Sequence, residues 1–229
     1  MAKLVSIIVT TADMTSPIFR RCVESLRDNT RAEYELLVLR DERKDFGFAR
    51  ENNRLIRTSE CPYVVLLNDD CFVAEGWLET MLSFMNSDPK LGVVGGMKDN
   101  ATVMSEGHVP FYLVLIKREV FDKIGLLNES FKFGYEDHEF CDRAKKAGFT
   151  IGFVDTGSVH LGDASSTGLR HLPPQLKGLI TYRRLRGESE ARIALTSMRY
   201  VQRYLRRHTV RRNRASGRPA ILERLGTLP

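Results

Sequence analysis

The stretch YVVLLNDDC (63–71) sets two adjacent carboxylates, Asp69 and Asp70, directly after an apolar run. Val64 to Leu67 read as a strand buried on both faces. Like charges side by side repel, and burying them unpaired is costly. Either the pair lies in solvent at an ordinary polar turn, or it is placed to receive a cation. The neighbouring segments say what kind of sheet the strand joins. LVSIIVTT (4–11) and YELLVLRD (34–41) have the same apolar character. Between and beyond the strands come helical patterns. One is opened by Ser16-Pro17 as cap and first helical residue; others fall at about 48–58 and at EGWLETMLSFMNS (75–87). LGVVGG (91–96) is a further short strand closed by glycines. This β-α-β-α-β-α-β alternation predicts an α/β fold with a mostly parallel sheet flanked by helices. In such sheets ligands bind at the carboxyl ends of strands, so Asp41, Asp69 and Asp70 are expected to face one crevice.

The second half is more broken. MKDNATVMSEGHVP (97–110) reads as a polar loop, and FYLVLIKREVFDKIG (111–125) as a strand running into a short helix. FKFGYEDHEFCDRAKKAG (131–148) begins as a glycine-containing loop and becomes a helix capped by Gly148. Its first turn carries Glu136, Asp137 and Glu139, which suits the positive end of a helix dipole and also offers a general base for a hydroxyl. FTIGFVDTGSVHLG (149–162) is a last strand and turn. It contains His160, which by itself reads as a structural or surface histidine and becomes a ligand candidate only beside a carboxylate site.

Composition bounds the rest. A chain of 229 residues with a hydrophobic fraction of 42% supports one large domain, or a domain plus an appendage. No apolar run reaches the ~18 residues needed to span a bilayer. The start, MAKLVSIIVTT, reads as a first strand rather than a leader. Cys22, Cys61, Cys71 and Cys141 are scattered with no C-x-x-C pair, so reduced thiols in a cytoplasmic protein are expected. The net charge of +6 conceals an asymmetry. Residues 170–229 hold 15 Lys+Arg and 3 Asp+Glu, net +12, which leaves 20 basic and 26 acidic residues, net −6, before them. The expected organisation is therefore an acidic, chemistry-bearing body (1–169) and a basic extension (170–229). The extension is helical over 188–208 and turn-rich, with disorder expected, toward its end.

Taken in order, these segments resemble family 2 glycosyltransferases, nucleotide-sugar enzymes of the GT-A fold, over roughly residues 3–166. SIIVTT resembles their first strand, VLRDER the second strand with its nucleotide-contacting acid, and DFGFARENN the segment before the metal strand. LLNDD resembles their D-x-D motif. GYEDHEFCDRAKKAG is similar to their E-D-x-[DE]-x-x-x-R-x-x-x-x-G segment, the most specific match. SVHLGDASS is similar to the ending of rhamnosyl- and galactofuranosyltransferase-like members.

The resemblance implies roles. Thr10 or Thr11 and Asp41 would contact base and ribose, and Asn52 or Asn53 would help hold the nucleotide. Asp69 would lie near the ribose or sugar. Asp70, with His160, would bind Mn²⁺ or Mg²⁺ bridging the diphosphate. Asp137 would be the base of an inverting displacement, with Glu136 as the second candidate or the acceptor-positioning group. The implied partners are a UDP- or dTDP-type sugar donor and a glycan or lipid-linked acceptor, met in the cytoplasm or at its membrane face. Two departures matter. Asn68 stands where many members carry Asp, so Asp70 would carry more of the metal. No Q-x-x-R-W occurs, which points to transfer of single sugars. For the basic extension three readings stand: helices packed on the body with solvated arginines, attachment to an anionic membrane surface, and nucleic acid as the least favoured. Rival functions are a nucleotidyltransferase on a related scaffold and a non-catalytic sugar-nucleotide-binding module.

Overall fold

A computed structural model describes residues 3–40, 47–97, 107–132, 134–162 and 172–215, with backbone alone over 207–215. Asp41 and most of the expected 97–110 loop lie outside the described residues, as do residues 216–229. The chain divides into two compact units, residues 1–167 and 168–229.

The first unit is built on a six-stranded sheet of order β2-β1-β3-β6-β5-β7. Its strands are β1 (Val5–Thr11), β2 (Tyr34–Arg40), β3 (Tyr63–Asn68), β5 (Leu91–Gly95), β6 (Leu113–Lys117) and β7 (Thr150–Phe153). A second, two-stranded sheet pairs β4 (Cys71–Phe72) with β8 (Val159–His160). β1 lies parallel between β2 and β3, and all seven of its residues are buried. Such a strand is readable as a continuous apolar run because both its faces meet helices.

The helices follow their apolar spacing. α1 (Pro17–Asn29) starts on Pro17 and buries Phe19, Cys22 and Leu26. α2 (Phe48–Thr58) buries Ala49, Asn52, Asn53 and Ile56 along one side. α3 (Trp77–Asn86) buries Trp77, Leu78, Met81, Leu82 and Met85, and the Trp77 indole N–H donates to Thr30 Oγ1 at 2.9 Å. α4 (Arg118–Ile124) and α5 (Glu136–Lys146) complete the unit.

The alternation predicted a parallel arrangement, and β1–β2, β1–β3 and β5–β7 are parallel. β6 departs from it: the strand inserts between β3 and β5, antiparallel to both. Close packing at that insertion explains Gly96. A Cβ there would stand 2.7 Å from Leu113 Cδ2 and 2.8 Å from Met81 Sδ. The antiparallel register sets Leu67 opposite Leu113, so the start of β6 lies beside the carboxyl end of β3.

The second unit holds α6 (Leu172–Leu185) and α7 (Glu190–Ala215). α6 was not expected from the sequence. It accommodates Pro173 and Pro174 in its first turn, where N–H groups have no helical partner anyway. α7 runs through 210–215, read from sequence as turn-rich. Arg183 Nη1 meets both oxygens of Glu188, Arg184 pairs with Glu190, and the Tyr200 hydroxyl donates to Gln175 Oε1 at 2.8 Å.

Candidate active site

The carboxyl ends of β1 and β3 meet at one point. Thr10 pairs in register with Asn68, and Thr11 Oγ1 donates to Asp69 Oδ2 at 2.6 Å. Burial pushes the Asp69 carboxyl above its ordinary value; the Thr11 hydrogen bond opposes that shift and the Asp70 charge adds to it. Asp70 meets a different partner. It is buried, and its Oδ1 lies 3.1 Å from His160 Nε2. That contact lacks hydrogen-bond geometry, so among the described residues Asp70 Oδ1 has no donor.

His160 arrives by way of β8. Cys71 pairs with His160 in register, and Leu161 N–H donates to the Asp70 carbonyl at 3.1 Å. The imidazole stacks on Tyr112 at 4.3 Å between centroids, and its Nε2 lies 3.5 Å from Asn68 Nδ2. With Asn68 as the donor there, Nε2 is the unprotonated ring nitrogen, the form a metal ligand requires.

This set suits a hard divalent cation. A buried carboxylate oxygen with no donor and an imidazole nitrogen 3.1 Å from it are two converging ligand atoms. The Cys71 sulfur is within 4.8 Å of both. Its thiol is a soft ligand, already donates to the Tyr112 carbonyl at 3.0 Å, and is pushed up by burial, so it does not belong to that set.

The second cluster is the start of α5. Gly134 and Tyr135 both take left-handed backbone angles, φ 82° and φ 72°, the latter rare for a residue with a side chain. They turn the chain so that Glu136 and Asp137 open the helix. Glu136 is buried with Oε2 unpartnered, and burial first, then the Asp137 charge, pushes its carboxyl up to about 8. Burial would raise Asp137 too. The charge and hydrogen bond of His138, with His108 behind it, outweigh burial and hold Asp137 below its ordinary value. Both the His138 backbone N–H and its Nδ1 lie 2.8 Å from Asp137 Oδ1. The His138 ring packs against His108 at 3.4 Å between centroids, tilted by 33°, and approaches Tyr135 at 4.9 Å.

Segment 107–112 links the two clusters. His108 packs at a tilt against His138, Phe111 packs edge-on against Phe140 of α5, and Tyr112 stacks on His160. The stretch where the expected 97–110 loop meets the expected 111–125 strand thus touches both candidate centres.

Other predicted residues are engaged differently. Asn53 donates to the Leu127 carbonyl and to Glu129 Oε1, and accepts from Leu127 N–H, so its amide clamps the 127–129 turn. Asn52 is buried and donates to the Phe48 carbonyl within its own helix. Glu51, not singled out from sequence, is fully buried between Arg50 and Arg54. The arginine of the E-D-x-E-x-x-x-R pattern is a positioning group. Arg143 Nη1 and Nη2 donate to the carbonyls of Ile124 and Leu126 at 2.6 and 2.9 Å, and Nε donates to Glu139. Arg143→Leu strands those carbonyls and is expected to cost about 2 kcal/mol in urea unfolding.

A sequence model described as Glycosyl transferase family 2 matches residues 38–110. That span contains the Asp69/Asp70 strand end but stops before α5 and His160. "Uncharacterized protein y4gI" of Sinorhizobium fredii is 26% identical over 174 residues, covering 59% of this chain and 19% of that protein. Among solved structures, GalNAc-T7 with UDP, GalNAc and Mn²⁺ superimposes with a TM-score of 0.58 at 16% identity, over 80% of this chain and 47% of that one. S. aureus TarS does so with a TM-score of 0.52 at 15% identity, over 66% and 35%. The chain thus spans less than half the length of each. Residues 38–110 thus carry the match to glycosyl transferase family 2, and the architecture around them shares the GT-A fold of those solved structures.

Proposed function

We propose that the chain transfers a single sugar from a nucleotide-sugar donor to an acceptor hydroxyl, with inversion and with a divalent cation. The observation that carries this reading is the buried Asp70 Oδ1, which no donor among the described residues satisfies, 3.1 Å from His160 Nε2. Asp70 and His160 would hold Mn²⁺ or Mg²⁺. Bound there, the cation neutralises charge on the departing nucleoside diphosphate. Asp69, fixed by Thr11, lies beside this site and would receive ribose or sugar hydroxyls, and Thr10 would extend it toward the base; Asp41 keeps the nucleotide-contacting role that its motif implies.

Asp137 serves as the base. It is ionised near neutral pH, and His138 occupies Oδ1, which leaves Oδ2 to accept the acceptor proton. As the acceptor oxygen bonds to the anomeric carbon, that carbon's bond to the diphosphate breaks and the nucleoside diphosphate leaves with the electron pair. Glu136, raised to about 8, keeps its proton near neutral pH and can donate a hydrogen bond to the acceptor. The donor is of UDP or dTDP type, and a rhamnose- or galactofuranose-type sugar is favoured by the SVHLGDASS ending. The acceptor is a glycan or a lipid-linked glycan, which would bring the chain to the cytoplasmic membrane face in polysaccharide assembly. No helix among the described residues is long and apolar enough to cross a membrane. The test is nucleoside diphosphate release from a panel of nucleotide sugars with and without Mn²⁺. Metal-dependent release from one donor supports the reading; pyrophosphate release supports a nucleotidyltransferase, and binding of no donor sinks both.

Glu136 gives a pH prediction. Its folded value, about 8, exceeds its ordinary 4.5, so the native state holds the extra proton between those limits. The associated stability is present below about pH 4.5, declines as pH rises and is lost by about pH 8. Glu136→Gln is expected to flatten that decline. A denaturation series from pH 5 to about 9 in which parent and variant run parallel would contradict it.

A further inference from the structure

α7 presents two different faces. At 3.6 residues per turn, Ile193, Ser197, Tyr200 and Tyr204 fall on one side and are buried or half-buried. Tyr200 ties that side to Gln175 of α6. The opposite side carries three exposed large apolar residues, Leu195 (49%), Met198 (61%) and Leu205 (45%). Directly alongside them run Arg192, Arg199, Arg203 and Arg206, all exposed. From Ala191 to Arg206 there is no acidic residue; of the acidic groups just before, Glu188 pairs with Arg183 and with Arg192 of the row, and Glu190 with Arg184.

We infer that this outer face of α7 is a docking surface for an anionic lipid bilayer, with the helix lying in the interface plane. Apolar side chains beside a row of arginines match such a boundary: the former enter the acyl edge while the guanidinium groups meet lipid phosphates. Arginine suits the role because its long apolar stem spans the boundary and its fork pairs with phosphate. Other occupants fit less well. A second copy of the chain would set arginines against arginines with no carboxylate between them. A nucleic acid would want aromatic rings for its bases, but Tyr200 and Tyr204 are on the inner side. The inference goes beyond glycosyl transfer and does not depend on it.

The experiment is sedimentation of the full chain with phosphatidylcholine vesicles and with mixed phosphatidylglycerol/phosphatidylcholine vesicles, at low and high salt and without nucleotide sugar. The chain is expected to pellet with the anionic vesicles only, and to be released by high salt. Met198→Glu with Leu205→Glu should abolish pelleting. Arg199→Gln and Arg203→Gln should each weaken it about fivefold. All four positions are exposed, so circular dichroism should be unchanged. Equal binding to neutral vesicles, or binding indifferent to these variants, would overturn the inference. So would a dimer in solution that Met198→Glu dissolves, or duplex DNA bound through the same arginines in preference to lipid. Nucleoside diphosphate release in the absence of lipid should be the same in parent and α7 variants, which separates failure here from failure of the transfer reading.

Discussion

Asp70→Asn is expected to remove the response to Mn²⁺ while leaving the folded chain as stable as before, or more so. Asp70 is buried beside Asp69 with one oxygen that has no donor among the described residues. In the absence of a cation that arrangement is a cost, because a buried unpaired carboxylate oxygen forfeits its hydration. Asparagine keeps the shape and removes the charge. The parent should therefore gain thermal stability on adding Mn²⁺, by about 2.7 kcal/mol at a hundredfold excess over Kd. The variant should not, and its metal-dependent donor hydrolysis should fall about 10³-fold. His160→Ala should be milder, weakening metal affinity by roughly 10–100-fold, since the carboxylate remains. A variant whose melting temperature still rises with Mn²⁺ as the parent's does would show that the cation is held elsewhere.

The second large effect is expected at Asp137. Asp137→Asn keeps a side chain that can accept from His138 N–H but cannot take the acceptor proton. Turnover with a glycan acceptor should drop by roughly 10²–10⁴-fold, with donor affinity and the Mn²⁺ stability shift unchanged. Glu136→Gln should cost far less at neutral pH, because glutamine can still donate a hydrogen bond where the protonated Glu136 did. His138→Phe should move the acid limb of kcat/KM upward, since it removes the group that offsets burial of Asp137. If Glu136→Gln were the crippling change and Asp137→Asn mild, the two roles would have to be exchanged.

Several of these features were readable from the chain alone. A strand buried on both faces shows as an unbroken apolar run, which is why β1 and β3 could be drawn from LVSIIVTT and YVVLLN. The end of α5 was legible because only a residue without a side chain accepts φ 94° cheaply, and Gly148 supplies it. The Asp69/Asp70 pair stood out because like charges rarely follow buried apolar runs without a purpose.

Tertiary structure decided what those residues touch. The antiparallel insertion of β6 leaves no local trace, since an apolar pentapeptide pairs equally well in either direction. The approach of His160 to Asp70 spans ninety positions and depends on the two-residue pairing of β4 with β8, too short to carry a pattern. Asn53 and Arg143 looked alike as polar members of motifs, yet both are consumed by carbonyls of the turns they clamp. The opposite shifts of the neighbouring Glu136 and Asp137 come from which of them His138 faces. Sequence determined the kinds of group and the elements that carry them. Only folding determined which polar atoms are satisfied by the protein itself and which, like Asp70 Oδ1, are left for something else.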